Sequence, residues 1–449
     1  MSALERLLER ENRRFMDTHP RSAQLAAQCS AHWLNGVPMH WMGDWGTPHP
    51  LFVRSASGAT LLDVDGNEYV DFCLGDTGAM FGHSPAPIAS ALAAQAARGL
   101  TCMLPPERTA EVGDLLAQRF GLPFWQVTQT ATDANRNVLR WARAITGRRG
   151  VLVFQGCYHG TVDETMVRLR GARTVAREGA IGAAFDSAAA TTAVEFNDVA
   201  ALEAALGSRQ FAAVIHEPVM TNIGMVLPQP GFHQALREAT RRSGTLLVID
   251  ETHTLSSGLG GYCASHGLEP DLFVCGKAIA GGFPCAVYGF TAVVEQQMQR
   301  VLAARAGGHS GMGTTLAGNP LAIECLAAAL TSLQTAEHYG RMEAGAALLE
   351  TRLQALFAAR DLSWHVSRVG ARVEFGFGPA PRNGSEAESA MRPEFEHALH
   401  LFLLNRGVLV TPFHNMMLVS PVTSAAQVER LVAGLGDALE QLELRTQAA

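Results

Sequence analysis

The sequence predicts an α/β protein: a large domain with a mostly parallel sheet that helices cover on both faces, and a smaller α+β domain. Between about residues 86 and 330, short apolar runs alternate with helical patterns, which is typical of parallel sheets. After residue 335 a long helical pattern precedes two strand-like runs. The 449 residues, 47% of them apolar, are enough for one large core and a smaller one.

The elements follow in chain order from this pattern. Residues up to about 34 are helical in pattern, and residues 58–75 alternate apolar and polar around Asp65-Gly66, which predicts a hairpin. Helices are then expected at Pro87–Ala97, Ala110–Arg119, Thr132–Thr146, Val199–Leu206, Gly231–Ser243 and Gly318–Ser332. Strands are expected at Trp125–Thr128, Val151–Phe154, Ala212–His216, Thr245–Ile249, Leu272–Cys275 and Ala286–Phe290. The C-terminal part predicts two strands within 364–378 and helices at Glu394–Leu404 and Ala425–Leu442.

The changes of pattern predict the domain boundaries. Residues 1–85 form an N-terminal segment that contributes to the small domain, 86–330 form the large domain, and 331–449 form the C-terminal part of the small domain. The stretch GPAPRNGSEAES (378–389) is expected to be a mobile surface loop.

Composition argues against several classes of protein. A net charge of −7 is mild for this length and gives no electrostatic footprint for nucleic acid. No uninterrupted run of about 18 apolar residues predicts a membrane span, and the charged N-terminus lacks the apolar core of a secretory signal. Eight scattered cysteines without a CxxC pair fit a reducing cytoplasm, and the histidines lack a metal-binding spacing, so no metal is expected.

Polar side chains follow four of the predicted strands, where ligands bind in sheets of this kind. They are an acid (Asp250), a lysine (Lys277), a ring pair (Tyr158 and His159) and the hydroxyl-rich helix start Thr130-Ala131-Thr132. Lys277 stands alone in the small, apolar and glycine-rich run VCGKAIAGGFPCAVYG (274–289). A buried lysine is costly unless it is paired or used chemically.

Each of these residues also has an ordinary explanation. Thr130 and Thr132 could cap a helix or could bind a phosphate, because free N–H groups and the helix dipole favour an anion. Asp250 could be a cap or a salt-bridge partner, Tyr158 could be core packing, and Lys277 could reach water from a loop. Pyridoxal phosphate needs all four features together: an anion site, an aromatic neighbour, an acid for its ring nitrogen and an amine for its aldehyde.

The ordered motifs of the chain resemble the class III aminotransferases, which are fold-type-I pyridoxal phosphate enzymes. The resemblance covers roughly residues 35–440 and is closest to the glutamate-1-semialdehyde aminomutase-like branch. The motifs that carry it are DVDGNEYVDF (63–72), GHSP (82–85), QTATDAN (129–135), YHG (158–160), EPV (217–219), LLVIDE (246–251), GKAIAGGFP (276–284) and GTTLAGNP (313–320).

The resemblance implies a role for each matching position. Lys277 is the Schiff-base lysine and Asp250 pairs with the pyridine nitrogen, and these are the expected catalytic residues. Thr315 contacts the phosphate from the neighbouring subunit, which implies a homodimer. The other expected cofactor-binding residues are Tyr158, which stacks on the ring, the phosphate-binding Thr130, Ala131 and Thr132, and His159, Glu217, Thr252 and His253.

Three departures from the family pattern are visible. Ala131 stands where the family usually has glycine, so ordinary backbone angles or strain are expected there. Thr252 and His253 stand where Val and then Gln or Met are common; we expect Thr252 under the ring and His253 near the phenolic oxygen of the cofactor. Residues 36–42 (GVPMHWM) lack the arginine that would bind a substrate carboxylate, and their Met and Trp residues indicate either an apolar pocket or plain packing.

The function expected from this pattern is an aminotransferase (EC 2.6.1.-) that moves an amino group from an amine or amino acid to a carbonyl acceptor by a ping-pong mechanism. The alternative is a glutamate-1-semialdehyde 2,1-aminomutase-like isomerase, a racemase or an ammonia-lyase with the same cofactor site. A non-catalytic binding protein is disfavoured because Lys277 is present. A nicotinamide dehydrogenase is disfavoured because SGLGGY (257–262) lacks the full glycine spacing.

Overall fold

The protein is described from a computed structural model, which covers residues 2–442. Its α-helices, α1–α14, have these bounds in chain order: Ala3–Thr18, Pro20–Cys29, Ala86–Ala96, Thr109–Phe120, Ala131–Thr146, Val199–Gly207, Phe232–Ser243, Gly261–His266, Ala292–Ala304, Pro320–Ala328, Ala336–Ala358, Gly384–Ala390, Pro393–Leu404 and Ala425–Gln441. Its strands, β1–β16, have these bounds: Val53–Ser57, Thr60–Asp63, Glu68–Asp71, Phe124–Thr128, Gly150–Phe154, Val167–Arg170, Arg173–Ala176, Thr191–Val194, Phe211–His216, Leu246–Asp250, Leu272–Cys275, Ala286–Phe290, His365–Val369, Arg372–Gly376, Val408–Leu409 and Met416–Leu418.

The chain divides into two compact units. Unit 1 contains Met1–Pro85, Gly340–Ala380 and Ala390–Ala449, and unit 2 contains Ala86–Tyr339 and Pro381–Ser389. The sequence placed the second boundary at 330/331 and all of 331–449 in the small domain, whereas residues 331–339 and Pro381–Ser389 belong to unit 2. The expected loop at residues 378–389 is also partly helical, because helix α12 begins at Gly384. The side chain of Asn383 caps the first turn of this helix by accepting a hydrogen bond from Glu386 N.

Unit 2 is built around a seven-stranded sheet with the order β4-β12-β11-β10-β9-β5-β8. Strands β11, β10, β9, β5 and β8 are parallel to one another, and β12 runs antiparallel to both β11 and β4. The expected mostly parallel sheet is confirmed. The sequence missed strand β8 and the antiparallel hairpin β6-β7.

The faces of this sheet are apolar. Every residue of β9, β11 and β12 is buried, as the central strands of a sheet covered on both faces require. Helix α5 packs one face with Ala134, Val138 and Leu139, which recur at helical spacing and are buried in the core of unit 2. The sheet is therefore a rigid support for the residues that follow its strands.

Unit 1 has two smaller sheets, ordered β1-β2-β3-β15 and β13-β14-β16. The hairpin expected around Asp65-Gly66 is present as antiparallel β2 and β3. The single N-terminal helical region is two helices, because the chain breaks at His19 and α2 begins with Pro20, which fits a first helical position but cannot continue a helix. No helix within residues 2–442 is both long and apolar enough to cross a membrane.

Candidate active site

Several loops of unit 2 meet at the carboxyl edge of the large sheet. Asp250 is the last residue of β10, Lys277 is the second residue after β11, and α5 begins at Ala131 shortly after β4. Strands β10 and β11 are parallel neighbours, and β4 has the same direction as β11 because both are antiparallel to β12. The residues that follow these strands therefore emerge at one edge, as the sequence predicted.

Two glycines show how closely the loops approach one another. A Cβ atom on Gly276 would lie 2.9 Å from Ala131 Cβ, and a Cβ atom on Gly160 would lie 2.1 Å from Thr132 Oγ1. Gly160 also has a φ of +77°, which disfavours a side chain. The structure thus brings the Lys277 loop and the YHG turn against the start of α5.

The start of α5 is a capped helix end that remains open toward the loops. Thr130 has an extended backbone, and its Oγ1 accepts a hydrogen bond from Asp133 N at 3.1 Å and donates one to Asp133 Oδ2 at 2.8 Å. Thr132 Oγ1 accepts from Thr161 N at 3.2 Å. Ala131 is the first helical residue and has ordinary helical angles, so the missing glycine causes no strain. First-turn N–H groups have no intrahelical acceptor, which suits an anion.

Asp250 is held in a buried network. Its Oδ2 accepts from His159 Nδ1 at 3.0 Å and from Asn135 Nδ2 at 2.9 Å, and its Oδ1 accepts from Thr252 N at 3.1 Å. Burial alone would raise the pKa of Asp250, but the hydrogen bond and charge of His159, together with the hydrogen bonds from Thr252 and Asn135, outweigh burial and lower the pKa to about 2. Burial opposes protonation of His159, yet its contacts with Asp250 and Cys157 together raise the pKa of His159 to about 10. Asp250 is therefore a carboxylate at neutral pH.

Three buried polar atoms of the residues in this network have no hydrogen-bond partner within residues 2–442: Thr252 Oγ1, Asn135 Oδ1 and His159 Nε2. Buried polar atoms are nearly always satisfied, so such atoms point to a group that completes the site.

Lys277 is the only lysine of the chain. Of the 35 lysine and arginine residues, the other 34 are arginines. Lys277 is half-buried and has a φ of 50°, a left-handed conformation that costs energy for a residue with a side chain and that recurs at functional sites. Its Nζ is hydrogen-bonded to His253 Nε2.

His253 connects Lys277 to Glu217. Thr221 Oγ1 lies 2.7 Å from His253 Nδ1 and donates to Glu217 Oε2, and Asn222 Nδ2 donates to Glu217 Oε1 at 2.8 Å. Burial raises the pKa of Glu217, although Thr221 and Asn222 work against that rise. The expected contact of His253 with the cofactor's phenolic oxygen stays a prediction.

Two expected site residues have other surroundings. Tyr158 is 39% exposed, and the Arg177 guanidinium lies 5.6 Å from its ring centroid, so Tyr158 is not core packing. Thr315 is exposed and lines a surface groove of about 540 Å³ in unit 2, whose lining does not include Lys277. Its role toward a neighbouring subunit stays a prediction.

The departures at residues 36–42 lie in unit 1. Met39, Trp41 and Met42 are 48%, 45% and 37% exposed, so plain core packing does not explain them. The loop residues His414 and Asn415, also in unit 1, are buried. His414 Nδ1 is 2.7 Å from Glu374 Oε1, and Asn415 Oδ1 accepts from His400 Nε2 at 3.1 Å.

Sequence reasoning missed three features of the site. Asn135, on the buried face of α5, and Thr221, after β9, become site residues only through tertiary contacts. Asn135 ends the motif QTATDAN and Thr221 lies outside the motifs that carry the resemblance, and sequence reasoning assigned a role to neither. The third feature, the uniqueness of Lys277, could have been found by counting lysines.

Comparison with known proteins agrees with this geometry. The family model described as aminotransferase class-III matches residues 42–439. A glutamate-1-semialdehyde 2,1-aminomutase from Roseiflexus castenholzii is 33% identical over 404 residues, which cover 88% of this chain and 91% of that protein. A crystal structure of a glutamate-1-semialdehyde-aminomutase from Pseudomonas aeruginosa PAO1 has 51% identity and a TM-score of 0.96, with 98% of both chains covered. A β-phenylalanine aminotransferase from Variovorax paradoxus has 26% identity and a TM-score of 0.86, with 97% of both chains covered.

The family match covers most of the chain, and the expected family, fold and cofactor are confirmed. The chain belongs to the class III aminotransferase family, whose members use pyridoxal phosphate.

Proposed function

We propose that this chain is a pyridoxal phosphate enzyme of the 2,1-aminomutase type, which moves an amino group between neighbouring carbons of one substrate. The observation that supports a pyridoxal phosphate enzyme is that the one lysine of the chain, Lys277, lies at this site. Arginine supplies the positive charge at 34 other positions, so charge alone does not explain a lysine here. What lysine has and arginine lacks is an amine that loses its proton readily and acts as a nucleophile.

The residues present fit pyridoxal phosphate. The start of α5 at Ala131 would hold the phosphate, and Asp250 would hold the ring nitrogen, with Tyr158 beside the ring. Thr252 Oγ1, which is buried without a hydrogen-bond partner, would lie beneath the bound ring. The amine of Lys277 would bind the aldehyde carbon.

When bound, pyridoxal phosphate supplies an electron sink for the charge left on a substrate carbon when one of its bonds breaks. Asp250, kept ionised by His159, favours the protonated ring nitrogen through its opposite charge. Lys277 carries the proton between substrate atoms, because its amine is the base at the centre of the cluster.

Relatives support the aminomutase reaction over the aminotransferase that the sequence first suggested. Two proteins named as glutamate-1-semialdehyde aminomutases share 33% and 51% identity with this chain and cover nearly all of it. The discriminating experiment supplies glutamate-1-semialdehyde to the purified chain without any keto acid. The proposal expects the isomer with its amino group on carbon 1, and turnover that begins only after a keto acid is added would contradict it.

The second candidate is an intermolecular aminotransferase. Residues 36–42 carry no arginine, while Met39, Trp41 and Met42 are partly exposed, which favours an apolar amine over a compact amino acid. The likeness to a β-phenylalanine aminotransferase agrees with this candidate. Stoichiometric consumption of a keto acid in the presence of an aromatic β-amino acid would favour it.

A homodimer is proposed as the working assembly. Met103 and Leu104 line the groove that contains Thr315, and they are 81% and 72% exposed. Large exposed apolar residues around a groove mark protein–protein contacts. A second copy on this groove would cover them and would bring Thr315 to the neighbouring site, as the family resemblance implies.

A further inference from the structure

A continuous line of hydrogen bonds leads from Lys277 into the interior of unit 2. It runs from Lys277 Nζ to His253 Nε2, from His253 Nδ1 to Thr221 Oγ1 at 2.7 Å, and from Thr221 Oγ1 to Glu217 Oε2. The three side chains beyond Lys277 are 6%, 1% and 6% exposed. Bulk water therefore has little access to this line.

The single hydrogen of the Thr221 hydroxyl sets the direction of the line. When Glu217 is a carboxylate, this hydrogen is donated to Oε2, so Thr221 Oγ1 must accept from His253 Nδ1–H. His253 Nε2 then has a lone pair and accepts a hydrogen from Lys277 Nζ. The carboxylate thus fixes the tautomer of a histidine two bonds away.

The opposite direction is also available. If Glu217 holds a proton, it donates to Thr221 Oγ1, Thr221 donates to His253 Nδ1, and His253 Nε2–H donates to a neutral Lys277 Nζ. The two arrangements differ by one hydrogen moving one step at each link: Nζ to Nε2, Nδ1 to Oγ1, and Oγ1 to Oε2. The net change is one proton passed from the Lys277 ammonium to the Glu217 carboxylate. Burial already raises the pKa of Glu217, so the protonated form is accessible.

We propose that His253, Thr221 and Glu217 form a proton relay that holds or returns the proton of Lys277. His253 contacts Lys277 directly, and Thr221 and Glu217 are positioning residues that act through it. Gln or Met, common in the family at the position of His253, cannot pass a proton between two ring atoms. The proposal rests on the proposed function for its use in the reaction, since Lys277 must change protonation as it moves a proton.

The relay can be tested on Lys277 itself without the cofactor. Because the chain has one lysine, growth on [ε-¹³C]lysine gives one labelled methylene, whose chemical shift follows the charge of its amine. The cofactor-free full chain is titrated by NMR as the unaltered protein and as Thr221→Val, Thr221→Ser and Glu217→Gln. Thr240→Val is the matched control, because Thr240 is fully buried and bonds backbone carbonyls of its own helix.

Thr221→Val removes the acceptor of Nδ1–H and makes Nε2 a weaker acceptor, so the ammonium of Lys277 loses stabilisation. We expect the pH midpoint of the resonance to fall by roughly one unit or more, a tenfold change in the proton equilibrium. Glu217→Gln should lower it similarly, whereas Thr221→Ser and Thr240→Val should keep it unchanged. The neighbouring charged groups, Asp250 and His159, remain in all variants.

Thr221→Val separates a relay from a simple charge effect, because Glu217 stays in place. An unchanged midpoint in Thr221→Val, or a Thr221→Ser variant as altered as the valine, overturns the relay. If the Thr221→Val variant does not fold, an unchanged midpoint of the Lys277 resonance in Glu217→Gln overturns the relay. Failure of the chain to bind pyridoxal phosphate would overturn the proposed function and leave this result standing.

Discussion

His159 Nδ1 lies 3.0 Å from Asp250 Oδ2, and the two side chains are 1% and 4% exposed. The contact therefore joins two oppositely charged groups in the interior of unit 2. Removing one partner of such a buried pair leaves the other uncompensated, which is strongly destabilising.

This contact makes stability depend on pH in a defined window. The pKa of Asp250 is lowered to about 2, so its contribution is present above its unfolded value and is lost as the pH falls through about 2. The pKa of His159 is raised to about 10, so its contribution to stability is complete below the pKa of unfolded histidine and is lost as the pH rises through about 10.

The variant His159→Leu tests this window. At pH 6 it should lower the free energy of unfolding by about 3 kcal/mol, and at pH 10.5 by less. Urea unfolding of the cofactor-free chain measures both, and an equal cost at the two pH values would contradict the assignment.

Lys277→Arg keeps a positive charge and removes the reactive amine. Reduction with borohydride in the presence of stoichiometric pyridoxal phosphate should add one cofactor mass to the unaltered chain and none to the variant. Turnover should fall roughly 10²–10⁴-fold or more, the scale of losing a positioned base. Arg149→Lys, which adds an exposed lysine, is the control and should still carry its label on Lys277 alone. Intact mass and peptide mapping give the result, and a labelled Lys277→Arg chain would disprove the role of Lys277.

Gly160 is required by the close approach of the YHG turn to α5. In Gly160→Ala, the new Cβ would lie 2.1 Å from Thr132 Oγ1 at a φ of +77°, so both contact and backbone conformation oppose it. Gly171→Ala is the matched control, because Gly171 has a φ of +59° and no atom within 4 Å of such a Cβ. We expect a loss of about 1 kcal/mol for the control, from the left-handed backbone alone, and a clearly larger loss for Gly160→Ala. Equal losses in thermal or urea unfolding would show that the turn can move away from α5.

The proposed dimer can be disrupted by one charge in the groove. Met103→Glu places a carboxylate on the surface that a second copy would cover, and burying an unpaired charge is costly. Sedimentation velocity should show the unaltered chain as a dimer and Met103→Glu shifted toward monomer. Ile181→Glu is the control, because Ile181 is 91% exposed and lies outside the groove. Sedimentation of the unaltered chain as a monomer would contradict the proposed homodimer.

The large sheet could be predicted from the sequence where its strands are continuous apolar runs. β9, β11 and β12 are buried along their whole length, so their residues carry the signal themselves. Strand β8 reads Thr-Thr-Ala-Val, β6 alternates apolar residues with arginine, and β7 reads Arg-Thr-Val-Ala, so none of the three is a continuous apolar run. Their pairing depends on neighbours that the local sequence does not specify.

Some residues of the candidate site could likewise be predicted from the sequence, and others could not. Asp250 and Lys277 could be predicted because Asp250 ends one apolar strand and Lys277 comes two residues after another, and the ends of parallel strands share an edge. Thr221 could not, because its contact with His253 joins residues 32 positions apart across two loops. Asn135, on the buried face of α5, donates a hydrogen bond to Asp250, which lies 115 positions away in the sequence. The residues around Asn135 in the sequence do not indicate this partner.

The solitary ε-amine has a practical consequence for anyone who handles this protein. Reagents aimed at amines, such as succinimidyl esters, glutaraldehyde or amine-coupling resins, have only two targets on the chain, the α-amino terminus and Lys277. With the cofactor bound to Lys277 as proposed, that second target would be blocked, and such reagents would react at the α-amino group alone.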